Sequence, residues 1–440
     1  MNCKFYSNSA YRVAAQSISA GGAFFTNRAS CLIINCVFNN NLVSGTGGNP
    51  GYGGALFFTG FGGTNKLINC LLVNNQSLQN GGALWAENRP ADLINCTIYG
   101  NDASWSGDGI TFSNSTLGTI TNCLIYNHSD GGYSGGTYTT TFLPYGPNPN
   151  FINTSDLDGP DNEYGTIDDG LRLQNTSPAK NMGSNSAVST IPNDITGYPR
   201  ILQSTVDAGA YESGVFIWNG STSTAWATTS NWSENIVPTS TDIALIPSTG
   251  VTNEPTISTS GVALIGLELQ TGRTLTLSGN TLGLMGNLTN NGTILGIALT
   301  DALVLNGATI QTIYGIGNID NLTIANNSTI ASGANGLSIY GLLKINSSMS
   351  LTTNNNLTLK STATRTAMHH GAAGANIAGN VTVERFIGIP AAKRAWRLLS
   401  PPASNVSIAN NWQNDFDGNN LVATPGVGTN ITNPTNTNGS

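Results

Sequence analysis

The sequence contains unusually few charged residues. Of its 440 residues only 9% are Asp, Glu, Lys or Arg, whereas a typical globular protein has about 25%. With 39% hydrophobic residues, the chain is too apolar for a disordered protein, which combines low hydrophobicity with high net charge. Few Lys and Glu beside abundant Thr, Ile, Leu and Asn disfavour helices, and this composition favours short strands separated by tight turns.

Three further features are scarce, and each argues against a class of function. The net charge is -7 and the sequence has no basic stripe, which disfavours nucleic acid as a partner. No apolar run is long enough to span a membrane as a helix. The three histidines are His128, His369 and His370, and neither HExxH nor CxxC is present. A zinc hydrolase is therefore not expected.

The six cysteines follow a repeat and not a disulfide pattern. Five of them come directly after an asparagine and recur every 26 to 34 residues, which marks a packing position where a thiol behaves as a small apolar group. These pairs are Asn2-Cys3, Asn35-Cys36, Asn69-Cys70, Asn95-Cys96 and Asn122-Cys123. We expect these five thiols to be free and stacked inside the fold. Cys31 lies outside the pattern and is assigned no role.

A glycine landmark alternates with the Asn-Cys pairs. Gly-Gly-Ala followed by an apolar residue begins at Gly21, Gly53 and Gly81, and a weaker version begins at Gly107. Periods of roughly 20–50 residues with insertions on one side predict a solenoid. Five residues after each of the first four cysteines stands an asparagine, and we expect their amides to bond to one another in an internal ladder. These residues are Asn8, Asn41, Asn75 and Asn101.

The repeat resembles the right-handed parallel β-helix repeats of bacterial surface proteins, including the polymorphic outer-membrane protein type with its Gly-Gly-Ala and Asn-Cys signatures. This resemblance covers about residues 1–135. It implies an all-β chain that begins with a right-handed parallel β-helix. Among proteins with this pectin-lyase-like fold are lyases, hydrolases, adhesins and passive stalks, so the fold alone does not assign a function.

Two later segments resemble parts of exported Bacteroidota proteins. Asp169-Gly170-Leu171, Ser177-Pro178-Ala179 and Asp207-Ala208-Gly209-Ala210-Tyr211-Glu212 resemble the segment that closes the β-helix in many Bacteroidota surface proteins. Asn380–Phe386 and Arg394–Ser400 resemble a junction common in proteins exported by the type IX pathway, where further domains follow. The resemblance implies a secreted or surface protein of a bacterium.

These observations predict five regions. We expect a parallel β-helix in residues 1–150, its closing segment in 151–214, a Trp-rich connecting segment in 215–255, a second β-rich repeat region in 256–385, and the start of a truncated C-terminal module in 386–440. The second repeat region is expected to be a β-solenoid or to resemble a β-sandwich. Because the chain begins inside a repeat and stops abruptly, we expect it to be a fragment.

An aromatic stripe is the first candidate site. In each circuit, the residue after the inward apolar residue of the glycine landmark should point outward, and three of these residues are aromatic. They are Phe25, Phe57 and Trp85. Stacked about 4.8 Å apart, they would form an exposed stripe able to lie against sugar rings. The alternative is that an insertion loop covers the three rings and makes them part of the core.

An acidic segment is the second candidate site. Asp156, Asp158, Asp161, Asp168 and Asp169 offer hard oxygen ligands on a Gly- and Pro-containing loop, which suits calcium. The spacing is not that of an EF-hand, because the glutamate at its end is missing. The alternative is that these aspartates cap turns by bonding to backbone N–H groups. No other cofactor is expected.

The predicted function is non-enzymatic. We expect a secreted or outer-membrane surface protein whose task is adhesion or contact with a polysaccharide or cell-surface glycan. The alternative is a β-helix polysaccharide lyase or glycoside hydrolase, which needs clustered carboxylates on adjacent circuits. The charged residues of the first solenoid are scattered instead, and no catalytic residue is assigned. Those considered are Glu87, Arg89 and Asp92 in one circuit and Asp102 and Asp108 in the next.

Overall fold

The chain folds into parallel β-sheets with very little helix, which confirms the all-β prediction. The computed structural model describes residues 1–12, 19–45, 51–113, 118–333 and 336–386. Within these ranges the strands form eight sheets. Helical residues in the same ranges are confined to two short 3₁₀ turns, Asn185–Val188 and Thr229–Asn231.

Unit 1 repeats a circuit through four sheets. Its strands are, in chain order, β1 (Lys4–Tyr6), β2 (Ser9–Arg12), β3 (Ser19–Ala20), β4 (Phe24–Asn27), β5 (Leu32–Ile34), β6 (Val37–Asn39), β7 (Leu42–Gly45), β8 (Gly51–Tyr52), β9 (Leu56–Thr59), β10 (Asn65–Ile68), β11 (Leu71–Val73), β12 (Gln76–Ser77), β13 (Leu84–Glu87), β14 (Ala91–Ile94), β15 (Thr97–Tyr99), β16 (Asp102–Ala103), β17 (Ile110–Ser113), β18 (Thr119–Thr121), β19 (Leu124–Tyr126), β20 (Tyr133–Ser134) and β21 (Thr137–Thr139). Sheet A has the order β1-β6-β11-β15-β19, sheet B β2-β7-β12-β16, sheet C β4-β9-β13-β17-β20 and sheet D β5-β10-β14-β18-β21, while β3 pairs with β8. All these pairs are parallel, so successive circuits lie in register on one another.

The cysteine row lies inside unit 1 where the chain enters sheet A. Cys36, Cys70, Cys96 and Cys123 are buried, whereas Cys3 is exposed at the end of the row. All of these thiols are free, as the repeat predicts. The expected burial is wrong for Cys3, because it lies beside β1, the edge strand of sheet A. Each buried thiol donates to the carbonyl oxygen two residues earlier, for example from Cys36 Sγ to Ile34 O at 3.2 Å.

The asparagine ladder lies at the next corner of the circuit, between the strands of sheet A and those of sheet B. Nδ2 of Asn8 donates to Oδ1 of Asn41 at 2.9 Å. The same bond joins Asn41 to Asn75 at 2.8 Å and Asn75 to Asn101 at 2.9 Å. The backbone N–H of each of the first three also donates to the Oδ1 of the next. His128 takes the following position, with Nδ1 3.0 Å from the carbonyl oxygen of Asn101.

The asparagines of the Asn-Cys pairs have a second role that their spacing does not reveal. All five have φ between 48° and 58°, a left-handed conformation that Asn tolerates better than most residues. Three of their side chains hold the segment that follows unit 1, each by donating from Nδ2 to a backbone carbonyl. These bonds join Asn69 to Asn193 (2.8 Å), Asn95 to Asp207 (3.0 Å) and Asn122 to Ser184 (3.1 Å).

That segment, residues 140–214, is named the joining segment. It has no regular strand and packs against the outer face of sheet A, where outward residues such as Val37, Leu71 and Val73 meet its Leu171 and Tyr211. The segment expected to close the β-helix at 151–214 therefore covers a side of unit 1. This cover explains why β11, β15 and β19 are mostly apolar on both faces, since the joining segment buries their outer side.

The joining segment contains a buried ion pair. Arg200 Nη2 lies 2.8 Å from Glu212 Oε2, and both side chains are almost completely shielded from solvent. Arg200 also donates to Asn69 Oδ1 at 3.2 Å and to the carbonyl oxygen of Tyr211 at 3.0 Å. Breaking such a pair leaves an uncompensated buried charge. Arg200 therefore fixes the joining segment to unit 1.

Unit 2 repeats a circuit through three sheets. Its strands are, in chain order, β22 (Val215–Ile217), β23 (Ile243–Ile246), β24 (Thr256–Ile257), β25 (Val262–Leu264), β26 (Gly266–Leu269), β27 (Thr274–Leu277), β28 (Leu282–Leu284), β29 (Leu288–Asn290), β30 (Thr293–Gly296), β31 (Leu303–Leu305), β32 (Gln311–Tyr314), β33 (Asn318–Ile319), β34 (Leu322–Ile324), β35 (Ser328–Ile330), β36 (Leu337–Ile339), β37 (Leu342–Ile345), β38 (Ser350–Thr352), β39 (Leu357–Leu359), β40 (Met368–Gly371), β41 (Asn376–Ala378) and β42 (Val381–Val383). Sheet E has the order β22-β23-β26-β29-β32-β35-β38-β41, sheet F β24-β27-β30-β33-β36-β39-β42 and sheet G β25-β28-β31-β34-β37-β40. Their parallel pairing favours the solenoid alternative for this region over a sandwich, whose sheets are antiparallel.

The Trp-rich segment 215–255 is part of unit 2 rather than a connector between units. Its β22 and β23 begin sheet E. Trp218, Trp226 and Trp232 are buried in the same core as the leucines of the later circuits, and the rings of Trp226 and Trp232 meet at 4.6 Å between centroids. Residues 387–440, which include the Arg394–Ser400 resemblance, lie outside the described residues.

Candidate functional site

The aromatic row forms in the predicted register but is not an exposed stripe. Phe25 pairs with Phe57, and Phe57 with Trp85, on adjacent strands of sheet C. Phe25 is 51% exposed, whereas Phe57 is 4% and Trp85 8% exposed. The ring of Tyr52 on β8 stacks on Trp85 at 4.4 Å between centroids. The expected exposure is therefore wrong for two of the three rings, because β8 covers them.

The acidic loop brings three of its five aspartates together. Carboxylate oxygens of Asp161, Asp168 and Asp169 all lie within 4.8 Å of one another, whereas Asp156 and Asp158 are not part of this group. The three carboxylates offer hard oxygen ligands of the kind that calcium prefers. The grouping therefore narrows the predicted calcium site to Asp161, Asp168 and Asp169.

The same carboxylates also cap turns. Oδ2 of Asp169 accepts the N–H of Gly165 at 2.7 Å and of Thr166 at 3.2 Å, and it accepts the hydroxyl of Tyr211. Oδ1 of Asp161 accepts the N–H of Glu163 at 2.8 Å. Burial raises the pKa of Asp169 to about 6, although these hydrogen bonds oppose the shift. The turn-capping alternative is thus present in the contacts, and the calcium hypothesis stays a prediction.

Asp108 was considered as a catalytic residue of the lyase or hydrolase alternative. Its carboxylate oxygens instead accept hydrogen bonds from the surrounding backbone. Its Oδ2 accepts the N–H of Ser129 at 2.7 Å and of Asp130 at 2.9 Å, and its Oδ1 accepts the N–H of Ala103 at 3.0 Å. Burial alone would raise the pKa of Asp108, but these bonds and one from the Ser129 hydroxyl outweigh it and lower the pKa. A carboxyl held in its charged, bonded form is poorly suited to general acid catalysis.

The other charged residues considered for catalysis have separate environments. Asp102 is exposed on β16. Asp92 accepts the N–H of Thr119 at 3.2 Å. Glu87 accepts the hydroxyl of Thr59 at 3.4 Å. Arg89 is buried and donates to Ser30 Oγ at 3.0 Å.

An open groove that sequence reasoning missed lies between the joining segment and the outer face of sheet E. Its volume is about 880 Å³. Glu268, Thr289 and Tyr314 lie in register on the adjacent strands β26, β29 and β32 and form its floor. Thr196 and Tyr198 of the joining segment belong to the opposite wall. Strand alternation could have marked the floor residues as outward-facing, but nothing in the sequence pairs them with a segment 70 residues earlier.

The carboxylate in this groove is held in a fixed orientation. The hydroxyl of Tyr198 donates to Oε2 of Glu268 at 2.8 Å, and Nε2 of Gln270 donates to its Oε1 at 3.0 Å. Burial raises the pKa of Tyr198, and the negative charge of Glu268 raises it further. Tyr198 therefore remains a neutral hydrogen-bond donor. Among the described residues that line the groove, Glu268 is the only charged one.

No family model, curated protein or solved structure matches the chain. Within the described ranges, no helix is long and apolar enough to cross a membrane.

Proposed function

We propose that the chain is a non-enzymatic binding protein that a bacterium secretes or displays on its surface. We also propose that unit 1 is a right-handed parallel β-helix. Adhesion through contact with polysaccharides or cell-surface glycans is its task. The support for export is the resemblance of the motifs within residues 169–212 to closing segments of Bacteroidota surface proteins. The support for the handedness is the repeat pattern of unit 1 and the strong right-handed preference of parallel crossover connections.

The observation that carries the proposal is the neutral polar surface of unit 2. In ten of its 21 strands, buried Leu or Ile alternates with an outward Thr or Ser, as in Thr274–Leu277, Leu322–Ile324, Leu337–Ile339 and Leu357–Leu359. In sheet F, successive circuits place polar side chains in one row with neighbours about 4.8 Å apart. The row consists of Thr274, Thr293, Asn318, Ser338, Thr358 and Thr382. Such a row favours many weak contacts with a long neutral polymer over a single reactive centre.

Sedimentation with insoluble polysaccharides tests this proposal. The purified chain should sediment with at least one neutral polysaccharide from a panel of cellulose, xylan, mannan and curdlan, and the polymer should stay intact. Failure to sediment with any member of the panel would contradict the proposal. Release of soluble sugars would favour the lyase or hydrolase alternative.

A further inference from the structure

The groove beside sheet E combines an exposed ring, a fixed carboxylate and a line of neutral polar groups. The ring of Tyr314 is 45% exposed. Glu268, Thr289 and Tyr314 are in register across three strands, so Glu268 and Tyr314 lie two strand spacings apart, about 10 Å. We propose that this groove binds one chain of a neutral polysaccharide lying across the strands of sheet E. The inference rests on the proposed function and makes it specific to one site.

Glu268 suits recognition of sugar hydroxyls. A carboxylate offers about four lone-pair positions, and Tyr198 and Gln270 each use one of them. Gln270 is itself fixed, because its Oε1 accepts the N–H of Ser248 at 2.9 Å. The positions that remain can accept hydroxyl protons without a loss of side-chain freedom on binding.

Tyr314 supplies the apolar part of the contact. Its ring is flat, and an aromatic face can pack against the C–H face of a sugar ring while the phenol stays wet. Ile201 and Ile310 are also exposed along the groove and widen this apolar surface. Ligand sites commonly combine such apolar walls with a small number of placed polar groups.

The charge of the groove disfavours an acidic polymer. The described lining residues include no Lys or Arg that could pair with a uronate, sulfate or phosphate. Glu268 would instead repel such groups. An acidic polysaccharide should therefore bind less well than a neutral one.

The topology argues against an extended peptide as the occupant. Peptides that add to a sheet need a free strand edge for main-chain hydrogen bonds. The floor of the groove is the face of sheet E, where β26, β29 and β32 are each paired on both sides. Only side chains are offered to the ligand, which suits a sugar chain better than a peptide backbone.

Affinity gel electrophoresis of the full chain tests the site. Gels contain one soluble probe each: xyloglucan, galactomannan, laminarin or, as the acidic comparison, polygalacturonate. The wild-type chain should be retarded by at least one neutral probe and less by polygalacturonate. Tyr314→Ala should weaken that retardation about tenfold. Glu268→Gln, which keeps the shape but removes the charge, should weaken it several-fold.

Two further variants separate a binding defect from a folding defect. Thr289→Arg fills the floor between Glu268 and Tyr314 without opening the core, and it should abolish retardation at an unchanged melting temperature. Tyr145→Ala removes an exposed ring outside the groove and should behave as wild type.

The outcomes distinguish the site from the function. If a neutral probe retards the wild type and all three groove variants equally, the groove is not the binding site, and the proposed function still stands. A wild type that no neutral probe retards would overturn both. Preference for polygalacturonate would overturn the neutral-ligand inference, and competition by an apolar peptide but by no sugar would assign the groove to a peptide.

Discussion

Replacing Asn75 by alanine should be one of the most damaging single changes in unit 1. Asn75 is completely buried at the middle of the ladder. Its Nδ2 donates to Asn101 Oδ1 and to the Phe38 carbonyl, both at 2.9 Å. Its Oδ1 accepts from the backbone N–H and the Nδ2 of Asn41 at 3.0 and 2.8 Å. Asn75→Ala removes all four bonds at once.

The magnitude follows from the groups left behind. The Asn41 N–H loses the one hydrogen bond that the described residues offer it, and an orphaned buried group costs about 1–3 kcal/mol. Asn41 Nδ2 keeps its bond to the Phe5 carbonyl, and Asn101 Oδ1 keeps the bond from the backbone N–H of residue 75. The missing amide leaves a small cavity that costs about 1 kcal/mol more. We therefore expect Asn75→Ala to lower the free energy of unfolding by about 3 kcal/mol.

Asn8→Ala is the matched control, because Asn8 ends the same ladder in an exposed position. It loses one amide bond to Asn41 and should cost less than about 1 kcal/mol. Urea unfolding followed by circular dichroism measures both variants, and hydrogen exchange shows whether the opening is local to the altered circuit, as solenoids allow. Equal stability of the two variants would refute the internal ladder.

Three further predictions concern the candidate sites. Trp85→Ala should lower the free energy of unfolding by about 2 kcal/mol or more because it opens a cavity beneath Tyr52. Phe25→Ala should lower it by less than about 0.5 kcal/mol. Thermal melts that rank the two variants in the opposite order would contradict the burial of Trp85 beneath Tyr52. The raised pKa of Asp169, about 6 because of burial, means that its proton stabilises the fold fully below pH 3.8 and that this contribution is lost as the pH rises through 6. Asp169→Asn should therefore reduce the fall in melting temperature between pH 5 and pH 7, and an unchanged slope would count against the shift. If the acidic loop binds calcium, millimolar calcium should raise the melting temperature at pH 7 by ligand linkage, and Asp168→Asn should abolish the increase; a melt insensitive to both calcium and EDTA would leave only turn capping.

The interior of unit 1 could be predicted from the sequence because it repeats. A residue type that returns once per circuit must occupy equivalent space, so the spacing of Asn41, Asn75 and Asn101 was enough to place them in one row. Strand alternation placed Phe57 and Trp85 on the outer side of sheet C in the same way. Strand alternation thus predicts which residues share a face of a sheet, and the once-per-circuit repeat predicts which residues stack in one row.

The surfaces could not be predicted because they depend on contacts distant in sequence. Whether Trp85 is exposed depends on where the insertion containing Tyr52 folds, and insertions do not repeat. The groove is formed by Tyr198 and Glu268, which meet only because the joining segment crosses the outer face of sheet E. The repeat of the Asn-Cys pairs is visible in the sequence, but the backbone carbonyl groups that these asparagines bind are not. Those carbonyls lie in the joining segment, which has no periodicity.

The most direct test of the central claim compares binding and turnover on the same polymer. A neutral polysaccharide that retards the chain is incubated with it for days, and the molar-mass distribution, the reducing ends and the unsaturated products are then measured. A non-enzymatic binding protein predicts an unchanged distribution and no new ends while the complex persists. A shortened polymer, with loss of the shortening in Asp102→Asn, would contradict the account and establish the chain as a lyase or hydrolase.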